Sequence, residues 1–136
     1  MKIFRNFNIY EAIIPDRMHT LDLGLFKYMI DYTKELLYEQ CRSEVFQTFE
    51  QRLNSIPRYP GLKIIKNMSD ITCVTVDELR NVMKIVIFAL DNLFEDYRRP
   101  GISNRQLCQV YYKFLRMYIA TREESFTYDS CNKLQV

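Results

Sequence analysis

Three side chains with acid–base or metal-binding chemistry lie close together near the start of the chain. They are Asp16, His19 and Asp22, spaced at i, i+3 and i+6, and His19 is the single histidine of the sequence. On a helix these positions fan over about 120°, so neighbouring pairs can touch. Carboxylates beside an imidazole can hold a divalent cation or transfer a proton. The alternative is that Asp16 caps a helix and His19 hydrogen-bonds to it, and the spacing alone favours this simpler interpretation.

A metal centre of the two-metal type would need further carboxylates from distant parts of the chain. Glu123 and Glu124 follow the last long helical pattern and could supply one. A solvated helix end explains both residues, and we favour it because nothing in the sequence brings them near Asp16. Phosphate-binding loops, nucleophile elbows and H-E-x-x-H zinc motifs do not occur in the sequence.

The cysteines are scattered without a C-x-x-C pair, and a single histidine cannot complete a zinc-finger set. Charged residues interrupt the N-terminus before an apolar core of signal-peptide length develops. We therefore expect reduced thiols in an intracellular protein, with no run near the roughly 20 apolar residues of a membrane helix. The thiols are Cys41, Cys73, Cys108 and Cys131.

Composition favours a few long elements around a real core, because 48% of residues are hydrophobic and only 3 are Gly and 4 Pro. The formal charge of +2, from 19 basic and 17 acidic residues, argues against nucleic-acid binding through bulk charge alone. Basic residues at turns could still contact DNA phosphates, although charged turns are more often solvated surface. These residues are Arg58, Lys63, Arg98, Arg99 and Arg105.

The strongest helical pattern runs from Asp16 to about Gln40, and its two apolar stripes predict a helix packed on more than one side. Asp16 is the expected N-cap. Gly24 costs about 1 kcal/mol relative to Ala inside a helix, which indicates close approach of a neighbouring backbone. One stripe consists of Leu21, Leu25, Tyr28, Tyr32 and Leu36, and the other of Leu23, Phe26, Ile30 and Leu37.

Three further helices complete the predicted architecture. One covers about residues 43–56, with Ser43 as its cap. Its core-facing residues are expected to be Val45, Phe46, Phe49 and Leu53. The next follows a capping box of Thr75 and Glu78, and its apolar stripe continues through Tyr97. The last is capped by Ser103. The sequence therefore predicts a mainly α fold with four main helices in a bundle-like arrangement.

Residues 7–14 alternate weakly at period 2 and stop at Pro15, which predicts a short N-terminal strand. A lone strand is marginal without partners, so we expect this chain to be part of something larger. The expected organisation is a single helical domain over 1–136, with a lead-in strand and Asp motif in 7–16, a helical region in 17–122 and a tail in 123–136.

The segment from Asn8 to Phe26 resembles the P-D-x-M-H-x-x-x-L-G segment of fungal DDE-type transposases, with Pro15 and Asp16 opening the motif. These are the Plavaka and Kyakuja-Dileera-Zisupton groups, which are related to the CACTA class. The stretches 58–63 and 83–93 also resemble parts of such proteins. The likeness covers roughly residues 7 to 125, which is nearly the whole chain.

In this family an RNase H-like domain brings two aspartates and a glutamate together around Mg²⁺ or Mn²⁺ ions, which drive DNA strand cleavage and transfer. The resemblance implies that Asp16 is a metal-binding catalytic carboxylate and that His19 acts beside it. It implies that residues from about 25 onward are helical support or insertion. It also implies DNA as a partner and a nuclear location.

The chain departs from the family because it shows neither the first aspartate with its strands nor a convincing final glutamate, and it has no Trp. One aspartate cannot hold two hard cations, so we expect a transposase-derived fragment without independent activity. The alternative function is a self-contained helical protein-interaction module with no catalytic role. A small metal-dependent hydrolase, complete in itself, would need at least two further carboxylates near Asp16.

Overall fold

The computed structural model describes residues 16–41, 43–63, 74–95 and 101–123, and the isolated positions 125, 127–129 and 132. The regular structure in this part is helical, which confirms the predicted mainly α class with four main helices. The predicted strand over 7–14 lies outside the described residues. The elements are a π-helical segment (Met18–Phe26), α1 (Lys27–Gln40), α2 (Ser43–Ser55), α3 (Val76–Leu90) and α4 (Asn104–Ala120).

Helix α3 is central to the packing, because it contacts the π-helical segment, α2 and α4. Its buried face joins the side chains of all the other elements in one core. Burying a Leu, Val or Phe side chain contributes roughly 1.5–3 kcal/mol each, so this face supplies much of the stabilisation. The largest fully buried side chains are Tyr111, Phe26, Phe46, Phe49, Ile30, Leu37, Leu53, Leu79, Leu90, Val82 and Val86.

The last two helices begin at the predicted capping box of Thr75 and at the predicted cap Ser103, which the structure shows to be part of a capping box as well. Thr75 Oγ1 accepts a hydrogen bond from the Glu78 backbone N–H at 3.3 Å, and Glu78 Oε2 accepts from the Thr75 N–H at 2.8 Å. Ser103 and Gln106 form the same reciprocal pair at the start of α4. Each box satisfies backbone donors that a helix start leaves unpaired, and an N-cap typically contributes about 1 kcal/mol.

The predicted continuation of α3 to Tyr97 was wrong in its last part. The helix ends at Leu90, and Asn92 adopts a φ of 47°, in the left-handed region that stops a right-handed helix. Leu93 and Phe94 are nevertheless buried, because the turn after the helix carries them back to the core. Tyr97 itself lies outside the described residues.

The predicted packing of the first helix on more than one side is confirmed only in part. Phe26, Ile30 and Leu37 are buried, whereas Tyr28 is 73% and Tyr32 48% exposed. The neighbouring elements therefore cover one stripe of this helix. The other stripe is covered at its ends, at Leu21 and Leu36, and exposed between them. A further link to the buried side comes from the Tyr111 hydroxyl of α4, which lies 2.8 Å from Thr33 Oγ1.

No helix in the described ranges has both the length and the apolar character needed to cross a bilayer. Cys41 is buried and Cys108 half-buried, and both are thiols. Burial raises the pKa of the Cys108 thiol above its ordinary value, and the nearby charges of Asp91 and Glu95 add to this effect. The other two cysteines lie outside the described residues.

Candidate functional site

Asp16 caps the first helical turn, as its position after Pro15 predicts. The helical backbone begins at Arg17. Asp16 Oδ1 accepts a hydrogen bond from the Met18 N–H at 2.8 Å, and the Asp16 carbonyl oxygen accepts from the Thr20 N–H at 2.8 Å. The backbone therefore sets the direction of this carboxylate before any ligand is considered.

The second oxygen of Asp16 is hydrogen-bonded to His19 Nδ1, one turn further along. Both side chains face solvent, with 67% of His19 and 57% of Asp16 exposed. The hydrogen bond with His19, followed by the one from Met18, holds the pKa of Asp16 below its ordinary value of 3.8. The site thus presents an ionised, oriented carboxylate at the surface, next to an imidazole.

Asp22 does not join this pair, although the spacing allows it. Its side chain is 0% exposed and lies between α3 and α4. Arg80 Nη2 donates to Asp22 Oδ2 at 3.1 Å, and the Tyr118 hydroxyl donates to Asp22 Oδ1 at 2.9 Å. The three polar residues of the motif therefore divide into an exposed pair and a buried carboxylate with two partners from distant elements.

The partners of Asp22 form a charged cluster whose members stabilise one another. Hydrogen bonding to Asp22 raises the pKa of Arg80, so the guanidinium stays charged. Burial, together with the bond to Asp22, raises the pKa of Tyr118. The guanidinium of Arg17 lies over the Tyr118 ring, with its Cζ 5.8 Å from the ring centre. Every buried side-chain nitrogen and oxygen in the described part has a hydrogen-bond partner, so the cluster is complete.

Gly24 explains how the segment turns Asp22 inward. A Cβ built on Gly24 would lie 2.8 Å from the carbonyl oxygen of His19, five residues earlier. The backbone that comes close to Gly24 therefore belongs to the same helix and not to a neighbouring element, as the sequence had indicated. A π-helix has i→i+5 hydrogen bonds and a wider turn than an α-helix, which rotates Asp22 further from His19 than the predicted α-helix would.

Sequence reasoning did not single out Arg80 or Tyr118 as partners of Asp22. The available signals were weak: Arg80 interrupts the apolar pattern of α3, and Tyr118 occupies a core position while carrying a hydroxyl that needs a partner. Neither signal indicates which acidic residue is contacted, because the residues are 58 and 96 positions away from Asp22.

The described residues do not by themselves fit a two-metal centre. Within them, no three His, Cys, Asp or Glu side chains converge to hold a metal ion. Glu123 is exposed at the end of α4, where its N–H donates to the Ala120 carbonyl oxygen at 3.1 Å. Glu124 lies outside the described part. Asp16 can therefore supply one oxygen ligand, with His19 orienting it.

The basic residues proposed for phosphate contact belong to separate elements. Arg58 and Lys63 are exposed in the loop after α2, and Arg105 is exposed in the first turn of α4. Hydrogen bonds from Thr75 lower the pKa of Glu78, and the charge of Lys63 contributes to this shift, which places Lys63 near the start of α3. Arg98 and Arg99 lie outside the described residues.

Comparisons of the chain with protein-family models, curated proteins and solved structures found no match.

Proposed function

We propose that Asp16 is one carboxylate ligand of a divalent-metal centre in a DDE-type transposase, in which Mg²⁺ or Mn²⁺ would promote cleavage and transfer of DNA strands. The observation that supports this proposal is the exposed Asp16 carboxylate, ionised and fixed by Met18 and His19. Hard divalent cations prefer such oxygen ligands. The resemblance to the P-D-x-M-H segment adds the reaction class.

Each residue of the motif has a separate task in this proposal. Asp16 would hold the metal, and His19 would keep the carboxylate in place through its Nδ1 hydrogen bond. The buried Asp22, bonded to Arg80 and Tyr118, anchors the segment that carries them. A bound divalent ion would supply Lewis-acid activation of a phosphoryl oxygen. One carboxylate is too few for two ions, so the chain alone is inactive in this proposal.

Manganese broadening of NMR signals in the isotope-labelled chain tests the ligand role. Weakly bound Mn²⁺ should broaden the backbone signals of Met18 and His19 first, because they flank the carboxylate. The Asp16→Asn variant should lose this local broadening. Glu44→Gln is the matched control, since Glu44 is an exposed carboxylate in the first turn of α2 and its removal should leave the pattern unchanged.

Broadening spread evenly over exposed acidic residues, and unchanged by Asp16→Asn, would remove Asp16 as a specific ligand. The transcript on either side of this reading frame gives an independent test. The proposal expects further acidic motifs in the same frame, to complete the three carboxylates. In-frame stop codons on both sides of this reading frame would count against the catalytic function.

The proposed DNA contact has its own measurement. A duplex probe should shift in a gel at low salt, and the shift should weaken as salt rises, because phosphate contacts release counterions. Charge reversal at Arg98 and Arg99 should weaken the shift, and so should charge reversal at Arg58, Lys63 or Arg105. Absence of any shift at low salt would contradict DNA binding by this chain.

A second candidate function is a helical protein-interaction module. It is favoured by large exposed apolar side chains beside one another on α3 and α4, including Phe88 at 70% and Tyr112 at 56% exposure. Contiguous exposed apolar surface on a folded domain commonly marks a site of protein contact.

A further inference from the structure

Helix α4 carries a second apolar stripe beside the one that faces the core. The core stripe includes Leu107, Tyr111, Phe114 and Tyr118. The outer stripe has the 4-3-4 spacing of a helix–helix seam, and Tyr112 and Ile119 in it are 56% and 66% exposed. This outer stripe consists of Cys108, Tyr112, Leu115 and Ile119.

Helix α3 supplies the other wall of a groove along the first half of this outer stripe, at Cys108 and Tyr112. Phe88 is 70% exposed, and Ile87 lies beside it. The groove has a volume of about 470 Å³ and is mainly apolar. Its lining is Ile87, Phe88, Asp91, Arg105, Cys108, Gln109 and Tyr112. An α-helix of a partner matches a groove of this form, because its side chains at i, i+4 and i+7 share one face.

The charge along the α4 wall is of one sign. From Asn104 to Arg122 the chain has basic residues and no acidic ones. The Arg116 guanidinium lies over the exposed Tyr112, with its Cζ 5.9 Å from the ring centre. On the α3 side, Asp91 lines the groove, and both Asp91 and Glu95 lie near Cys108. The basic residues are Arg105, Lys113 and Arg116 in α4, and Arg122 just after it.

We propose that this groove binds an amphipathic, acidic helix of a partner protein. The partner would place apolar side chains on Phe88 and Tyr112, and its carboxylates beside Lys113 and Arg116. This inference rests on the second candidate function and gives it a partner class; it is independent of the metal proposal.

Two other occupants fit the groove less well. A second copy would bring one basic α4 against another, and like charges across an interface oppose association. Duplex DNA would satisfy the cations but would leave Phe88, Tyr112 and Ile119 against a polar surface, where apolar area gains little. The acidic amphipathic helix satisfies both the apolar stripe and its basic edge.

Fluorescence anisotropy with labelled helical peptides and the full chain tests the proposal. The acidic peptide has Leu at the 4-3-4 spacing and Glu at its remaining positions. The basic peptide has Lys in place of each Glu. The third peptide has the residues of the acidic peptide in scrambled order. The acidic peptide should bind at least about tenfold more tightly than either of the others, because only it matches both the seam and the charge.

Substitutions in the groove locate the binding site. Phe88→Ala and Tyr112→Ala should each lower the affinity for the acidic peptide by about tenfold, as expected of aromatic anchors. Arg116→Glu should also lower the affinity for the acidic peptide, and it should reduce the chain's preference for the acidic over the basic peptide. Val110→Ala is the matched control, because Val110 is 51% exposed on the opposite side of α4. All four variants should keep the thermal midpoint of the parent chain.

Each remaining outcome overturns part of the proposal. If the basic peptide binds more tightly than the acidic one and depends on Phe88, the acidic partner is rejected and the interaction-module function is retained. If none of the three peptides binds, both the acidic partner and the interaction-module function are rejected. Self-association that Phe88→Ala abolishes would assign the groove to a second copy. Competition by duplex DNA without peptide binding would assign it to nucleic acid. A large drop in thermal midpoint for Phe88→Ala would show that this chain itself covers the groove.

Discussion

The Tyr118 hydroxyl donates to Asp22 Oδ1 at 2.9 Å, which joins the first helical segment to the end of the last helix across 96 residues of sequence. A fully buried carboxylate is costly unless charged or hydrogen-bonding partners surround it. Here Arg80 supplies the charge and Tyr118 a second donor. This cluster therefore determines how the segment carrying Asp16 and His19 is held on the bundle.

Replacing Arg80 by Met should destabilise the fold by about 3 kcal/mol, because it leaves the Asp22 carboxylate buried without its cation. The value is at the low end for such a change, since 34% of the Arg80 side chain is exposed and solvent weakens the pair. Urea unfolding followed by circular dichroism measures it.

The double variant Asp22→Asn with Arg80→Met is the control for this interpretation. It should be more stable than Arg80→Met alone, because the neutral amide does not need a cation. Equal losses in the single and double variants would mean that Arg80 acts through packing of its side chain and not through the charge of Asp22.

Tyr118→Phe should cost about 2 kcal/mol, since it removes one hydrogen bond to a buried charged group and leaves the ring in place. Tyr112→Phe is the matched control on the same helix, because Tyr112 is 56% exposed. The thermal midpoint of Tyr118→Phe should be clearly lower than that of Tyr112→Phe. Similar midpoints would show that the Tyr118 hydroxyl contributes nothing beyond its ring.

Gly24→Ala should destabilise the chain by about 1–2 kcal/mol, although Ala is the better helix former by about 1 kcal/mol. The added Cβ would meet the His19 carbonyl oxygen at 2.8 Å, and a backbone atom cannot move aside cheaply. The amide signals of residues 18–26 should shift with it. Stabilisation by this change would mean that the segment rewinds readily as an ordinary α-helix.

The Asp16 carboxyl should titrate below its ordinary pKa of 3.8, because its ionised form accepts hydrogen bonds from His19 and Met18. A depressed folded-state pKa contributes stability that is present above 3.8 and is lost as the pH falls through the folded value. His19→Ala should raise the pKa of Asp16, and carboxyl-carbon NMR measures the change.

Thr20→Ala is the control for that titration. Thr20 is an exposed neighbour, and its described hydrogen bond to Asp16 comes from the backbone N–H, which the substitution keeps. It should leave the titration of Asp16 unchanged. A pKa that stays low in His19→Ala would assign the shift to the cap bond from Met18.

Local patterns were sufficient to predict much of the fold. The capping box at Thr75 and the cap at Ser103 correctly mark two helix starts, because a cap depends on residues within three positions of it. The apolar spacing of α2 correctly predicts its buried face at Val45, Phe46 and Phe49. The cap role of Asp16 and its contact with His19 are equally local, so the sequence alone was enough to predict them.

Tertiary structure decided which side of the first helix is buried and where α3 ends. Leu25 and Tyr28 follow a helical apolar period as well as Phe26 does, so periodicity cannot show which stripe meets the other helices. The fate of Asp22 is the clearest case, because its partners Arg80 and Tyr118 reach it only after the helices pack. Sequence determines short-range hydrogen bonds and helical periods, whereas a buried charge depends on contacts that exist only in the folded chain.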